Sequence, residues 1–79
     1  MNTLHNTDTK FVICLRNDDS DDLILGKVYQ VLVDEVAARD EYIRVVDESG
    51  EDYLYPANFF VSIQLPRMAE RALFPVAGD

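Results

Sequence analysis

The chain reads as a mainly-β domain: five short strands curling into a small barrel, with a 3₁₀ turn ahead of the last strand and a short C-terminal helix. Three observations predict this. Apolar residues alternate around a glycine in Leu23-Ile24-Leu25-Gly26-Lys27-Val28-Tyr29-Gln30-Val31-Leu32, the period of two that puts one face of a strand in a core. Tyr53-Leu54-Tyr55 runs into Pro56-Ala57-Asn58-Phe59, where the missing N–H of proline ends ladder pairing and starts a turn. Finally, 79 residues that are 48% hydrophobic make one folded domain, which buries about 60% of the surface its unfolded chain exposes.

The elements follow in order. Residues 1–9 form a tail predicted to be disordered, residues 10–65 the barrel and residues 66–79 a helical tail. The β-branched and aromatic run at 10–15 suits a buried first strand. Arg16-Asn17-Asp18-Asp19-Ser20-Asp21-Asp22 carries too much like charge to be packed inside and predicts an exposed loop. The second strand spans 23–33, with a sharp bend at Gly26 that a positive φ would explain. Residues 34–40 could form a helical turn in isolation, but the segment is short and sits between strand-like segments, so it reads as a loop. The third strand is 42–46, with Ile43 and Val45 on one side and Tyr42 and Arg44 on the other. Asp47-Glu48-Ser49-Gly50 is a hairpin turn, the fourth strand covers 51–55, and Ala57-Asn58-Phe59 makes a 3₁₀ turn before a fifth strand at 60–65. Beyond Pro66, residues 67–74 place Met68 beside Ala72 and Ala69 beside Leu73 at helical spacing.

Charge narrows the function. Fifteen acids against seven bases give a net charge of −8, which repels a phosphate backbone and argues against direct nucleic-acid binding. The first eight residues have neither a basic start nor an apolar stretch, and no run is long enough to cross a bilayer, so the expectation is a cytoplasmic protein away from membranes. Cys14 is the sole cysteine and reads as a small buried hydrophobe in a reducing compartment. Asn17-x-Asp19-x-Asp21 opens like a calcium loop, but Asp22 stands at the glycine position and Val28 at that of the bidentate glutamate. His5 has no base or ligand cluster beside it, Ser20, Ser49 and Ser62 lie in no nucleophile motif, and Asp47-Glu48 sits in a turn where water is expected to screen it. The expectation is therefore a protein that is not an enzyme, with no cofactor and no metal. Tyr42, Tyr53, Tyr55 and Phe59 either line a cage for a cationic group or, as the commoner arrangement, divide between the core and a sheet face.

The order of strand, acidic loop, Leu-x-Leu-Gly-Lys-x-Tyr-x-Val-Leu strand, glycine hairpin and Pro-Ala-Asn-Phe turn resembles an SH3-like barrel, and most closely the small uncharacterised SH3-like proteins of bacteria and their phages. The resemblance implies a partner-binding face in which Pro56 and Phe59 help line a groove and Asp18, Asp19, Asp21 and Asp22 read a basic residue of the ligand. Glu41-Tyr42 stands where such peptide-binding domains carry a tryptophan, which turns the expected ligand from a proline-rich peptide to a basic or mixed protein surface. The expected partner-binding set is Asp18, Asp19, Asp21, Asp22, Tyr42, Tyr55, Pro56 and Phe59, in a monomer or weak homodimer. Two other roles fit the composition: a phage-type inhibitor that imitates nucleic-acid charge in a host enzyme's cleft, and an accessory subunit docking through its C-terminal helix.

Overall fold

The computed structural model describes residues 10–74; the predicted tail at 1–9 and the end of the helical tail, 75–79, lie outside them. Strands β1 (Phe11–Cys14), β2 (Val28–Leu32), β3 (Tyr42–Val46), β4 (Asp52–Pro56) and β5 (Phe60–Ile63) form one antiparallel sheet in the order β4-β3-β2-β1-β5. Helix α1 (Glu35–Arg39) lies between β2 and β3, the 3₁₀ turn Ala57–Phe59 joins β4 to β5, and helix α2 (Arg67–Leu73) follows β5. The five predicted strands, the 3₁₀ turn and the C-terminal helix are present. The sheet itself stays open, with no ladder joining β4 to β5.

Those two strands are the opposite edges of the sheet, yet only the three residues of the 3₁₀ turn separate them. Five flat strands would hold the edges about 19 Å apart at about 4.8 Å per step, further than one 3₁₀ turn of about 6 Å reaches. The sheet must therefore curl, and its concave face becomes the core. The register places Val12, Cys14, Tyr29, Val31, Ile43, Val45, Tyr55 and Phe60 on that face. Val12, Cys14 and Val45 are fully buried, and Leu23 and Phe59 complete the cluster.

Two local expectations need correction. The second strand begins at Val28 rather than residue 23, because Leu25 and Gly26 form a turn in which Lys27 N–H donates to the Ile24 carbonyl at 3.2 Å. Gly26 has φ +79°, the conformation its position predicted. The reversal sends Leu23 inward, 2% exposed, and leaves Leu25 57% exposed. Residues 34–40, predicted as a loop, contain α1. Asp34 caps it by accepting from Ala37 N–H at 2.9 Å, and Ala37 is buried beneath it. The other Asp34 oxygen accepts from Arg44 Nε at 2.9 Å, while Arg44 Nη1 reaches Asp52. The cap and the tie to β3 stabilise a helix too short to persist alone.

The chain leaves α1 through Glu41 at φ +62°, a left-handed conformation that costs an L-residue about 1 kcal/mol or more and that glycine adopts freely. Glu41→Gly is expected to raise stability by about 1 kcal/mol, seen as a higher urea midpoint at unchanged slope. An unchanged or lower midpoint would mean that the Glu41 side chain supplies a compensating contact.

Candidate functional site

The acidic loop and the β3–β4 turn form one constructed corner of the molecule. The turn folds on itself through Gly50 N–H to the Asp47 carbonyl, 3.0 Å, and Asp47 N–H to the Glu51 carbonyl, 3.1 Å. Glu48 N–H then crosses to the Asp22 carbonyl, 2.9 Å, so the two segments are stitched by backbone. Side chains reinforce the seam. Tyr29 Oη donates to Glu48 Oε2 at 2.6 Å and accepts from Ile24 N–H at 2.8 Å, and Lys27 pairs with the same glutamate. Within the acidic loop, Asn17 donates to the Leu23 carbonyl at 3.1 Å and Arg16 pairs with Asp18.

Asp47 departs from expectation. It was predicted to be screened by water in a turn, yet it is only 5% exposed. The hairpin register puts Ile43 opposite Tyr55, so Tyr55 reaches back under the turn and donates from Oη to Asp47 Oδ2 at 2.6 Å. Ser49 N–H and its hydroxyl both donate to Oδ1. Burial pushes the Asp47 carboxyl up, but the bonds from Ser49 and Tyr55 outweigh it and hold the group below the usual carboxylate range. Lys27 and then Tyr29 lower Glu48 in the same way. The two phenols move oppositely: burial and the carboxylate each one faces push Tyr29 and Tyr55 well above the ordinary tyrosine value. At neutral pH this corner therefore holds two ionised acceptors and two protonated donors.

The pH dependence follows in sign. Asp47, Glu48 and Asp34, the last held down by Ala37 N–H and Arg44, contribute stability that is whole above about pH 4.3 and is lost as pH falls through their lowered folded values. The raised tyrosines contribute below about pH 10 and lose it as pH climbs through their folded values. The thermal midpoint is expected to hold a plateau between these limits and to fall at pH 3. A midpoint that instead rises steadily on acidification would show that relief of the −8 net charge outweighs these bonds.

Between the loop and β4 lies a cleft of about 380 Å³, with Asp19, Asp21 and Asp22 on one wall, Tyr53 and Tyr55 on the other, and Asp47 and Ser20 completing it. Tyr53 is half exposed, its hydroxyl donating to Glu51 at 3.1 Å. Tyr55 is fixed by Asp47 on one side and by edge-on contact with Phe60 on the other, with 6.1 Å between ring centroids.

The predicted partner-binding residues are divided by this arrangement. Asp19, Asp21, Asp22 and Tyr55 come together in the cleft, and Asp18 lies on the same exposed loop, paired with Arg16. Tyr42 is on the convex face, 44% exposed, opposite Pro56. Phe59 is withdrawn from the partner-facing set: at 8% exposure it belongs to the core, with Arg16 over its ring at 5.5 Å. Asp47 was missed; Tyr53, named as a candidate cage wall but not in the partner-binding set, joins Tyr55 in the cleft, the register across the Gly50 turn placing both tyrosines on the concave side. Among the described residues no three His, Cys, Asp or Glu side chains converge on a point where a metal could be held. No family model, curated protein or solved structure matches the chain.

Proposed function

We propose that the protein is a non-catalytic interaction module that takes a basic segment of a protein partner into the cleft between the acidic loop and β4. The observation that carries this reading is the joining of loop carboxylates to a half-exposed tyrosine face over a buried, ionised Asp47. A guanidinium or ammonium group is the ligand chemistry that satisfies both walls, stacking on Tyr53 while its N–H groups meet Asp19, Asp21 or Asp22. The hydrogen bond to Asp47 fixes the Tyr55 wall before a ligand arrives, which reduces the ordering cost of binding. Exposed carboxylates attract partners over distance and speed encounter more than they tighten the complex, so the expected affinity is micromolar and falls as salt rises. The same proposal takes the curled sheet as an SH3-like barrel. The support is that β4 and β5, its two edges, are linked by the single 3₁₀ turn.

The test is titration of an arginine- and lysine-rich peptide into isotopically labelled protein, with an acidic peptide of equal length as control. Amides of Asp19, Asp21, Asp22, Tyr53 and Tyr55 are expected to shift with the basic peptide alone, and Tyr53→Ala to weaken binding several-fold. Silence at those five residues, or equal response to both peptides, rejects the reading.

A further inference from the structure

The convex face of the sheet carries an apolar surface that the basic-partner reading does not use. Alternation puts Leu32, Tyr42, Leu54 and Val61 there, between 37% and 45% exposed. Toward β4 this surface deepens into a groove of about 360 Å³ between α1 and the β3–β4 pair, walled by Val36, Tyr42 and Leu54 and rimmed by Asp40 and by Arg44, whose charge is taken up by Asp34 and Asp52. Val36, at 68% exposure, extends this apolar surface onto α1.

At the other end of the same face is α2. Phe74, just past its end, stacks on Phe11 of β1 with ring centroids 5.0 Å apart. No residue of the helix is buried, and Pro66 gives it no side-chain cap. Met68 is 84% exposed and Leu73 54%. Arg71, one turn on from Met68, is its neighbour on the helix surface, and neither Arg67 nor Arg71 is in an ion pair among the described residues, whereas Arg16, Lys27 and Arg44 all are. A helix that exposes Met68 beside Arg71, with Glu70 about half a turn round from Met68, complements an apolar groove whose rim carries Asp40, a carboxylate in no ion pair among the described residues. Anchored on β1, α2 is separated from its own groove by β2.

We infer that the convex faces of two copies of this chain meet about a two-fold axis, with α2 of each copy seated in the α1–β3–β4 groove of the other. Met68 enters between Val36 and Leu54, and Arg71 meets Asp40. A two-fold arrangement makes the contact twice and closes the assembly at a dimer. Two seven-residue helices and the apolar surface between them keep the buried area near the lower limit of stable interfaces, about 1,200 Å², so the dimer forms at high micromolar concentration and not in dilute solution. The inference is independent of the cleft, which opens on the concave side; a failed dimer leaves the basic-partner reading standing, and the reverse.

Sedimentation velocity on the full chain, from micromolar to near-millimolar, tests it. The expected result is a concentration-dependent dimer that Met68→Glu weakens about tenfold or more; because Met68 is exposed, the variant is expected to keep the parental melting temperature. Arg71→Asp is expected to weaken association about threefold, the scale of one exposed ion pair, and the double variant Arg71→Asp with Asp40→Arg to restore it. A monomer at every concentration overturns the inference. So does a dimer that Met68→Glu leaves intact, which would mean that another surface, such as the β5 edge, does the pairing.

Discussion

Asp47→Ala is expected to cost about 3 kcal/mol. The carboxylate accepts three bonds, from Tyr55 Oη and from the Ser49 amide and hydroxyl. Removing it leaves the half-buried Tyr55 hydroxyl with no acceptor, and an unmade buried bond costs more than a made one contributes. For a small domain with total stability on the order of 5 kcal/mol, such a loss is a large share of the whole. Urea unfolding followed by tyrosine fluorescence measures it, and Asp47→Asn separates the causes. The amide keeps one oxygen for Tyr55 and should lose about half as much. Equal losses in the two variants would assign the effect to charge rather than to the bonds, and a loss below about 1 kcal/mol in both would mean that water enters and replaces the carboxylate.

Leu23→Ala should cost about 3 kcal/mol, within the range for deleting a buried leucine and leaving a cavity. Leu23 is 2% exposed and is the one apolar residue that enters the core from the segment between the acidic loop and β2. It directly follows Asp21 and Asp22 and roots that end of the loop in the core, so the variant should lose affinity for a basic peptide as well as stability. The pairing of effects is the check: a stability loss with unchanged peptide affinity at low temperature would show that the Asn17 and Asp22 backbone bonds hold the loop without it.

What could be read in the residues beforehand divides along physical lines. β3, the hairpin, the 3₁₀ turn and β5 were legible because alternation, a positive-φ glycine and a proline are local constraints that act before tertiary packing does. The helix α1 was not, since five residues with one buried alanine carry almost no period; its usable signal was Asp34, an N-cap followed by Glu35 in the first turn. The inward turn of Leu23 over Leu25 depends on the reversal at Gly26, which alternation alone extends straight through. Asp47 misled most: Asp-Glu-Ser-Gly is turn composition and implies water. Only the register, which brings Tyr55 beneath the turn, reveals an enclosed acid. Of the site, the acidic wall was visible as charge and the tyrosines as candidate cage walls, whereas which aromatics meet the acidic loop required knowing which side of β4 is concave. Closure of the sheet was over-read, since the sequence pattern contains nothing about hydrogen bonding between β4 and β5.

The place of β1 between β2 and β5 also sets the order in which the chain can acquire its shape. Cys14 pairs with Phe60, a partner more than half the chain away, while Val46 meets Asp52 across a single tight turn. Closing the long loop carries an entropy cost that is recovered only once the distant pairing forms. The β3–β4 hairpin, which closes the shortest loop, can pair first. The sheet is completed only when β5 arrives, so during synthesis at the ribosome one side of β1 stays bare until Phe60–Ile63 has emerged.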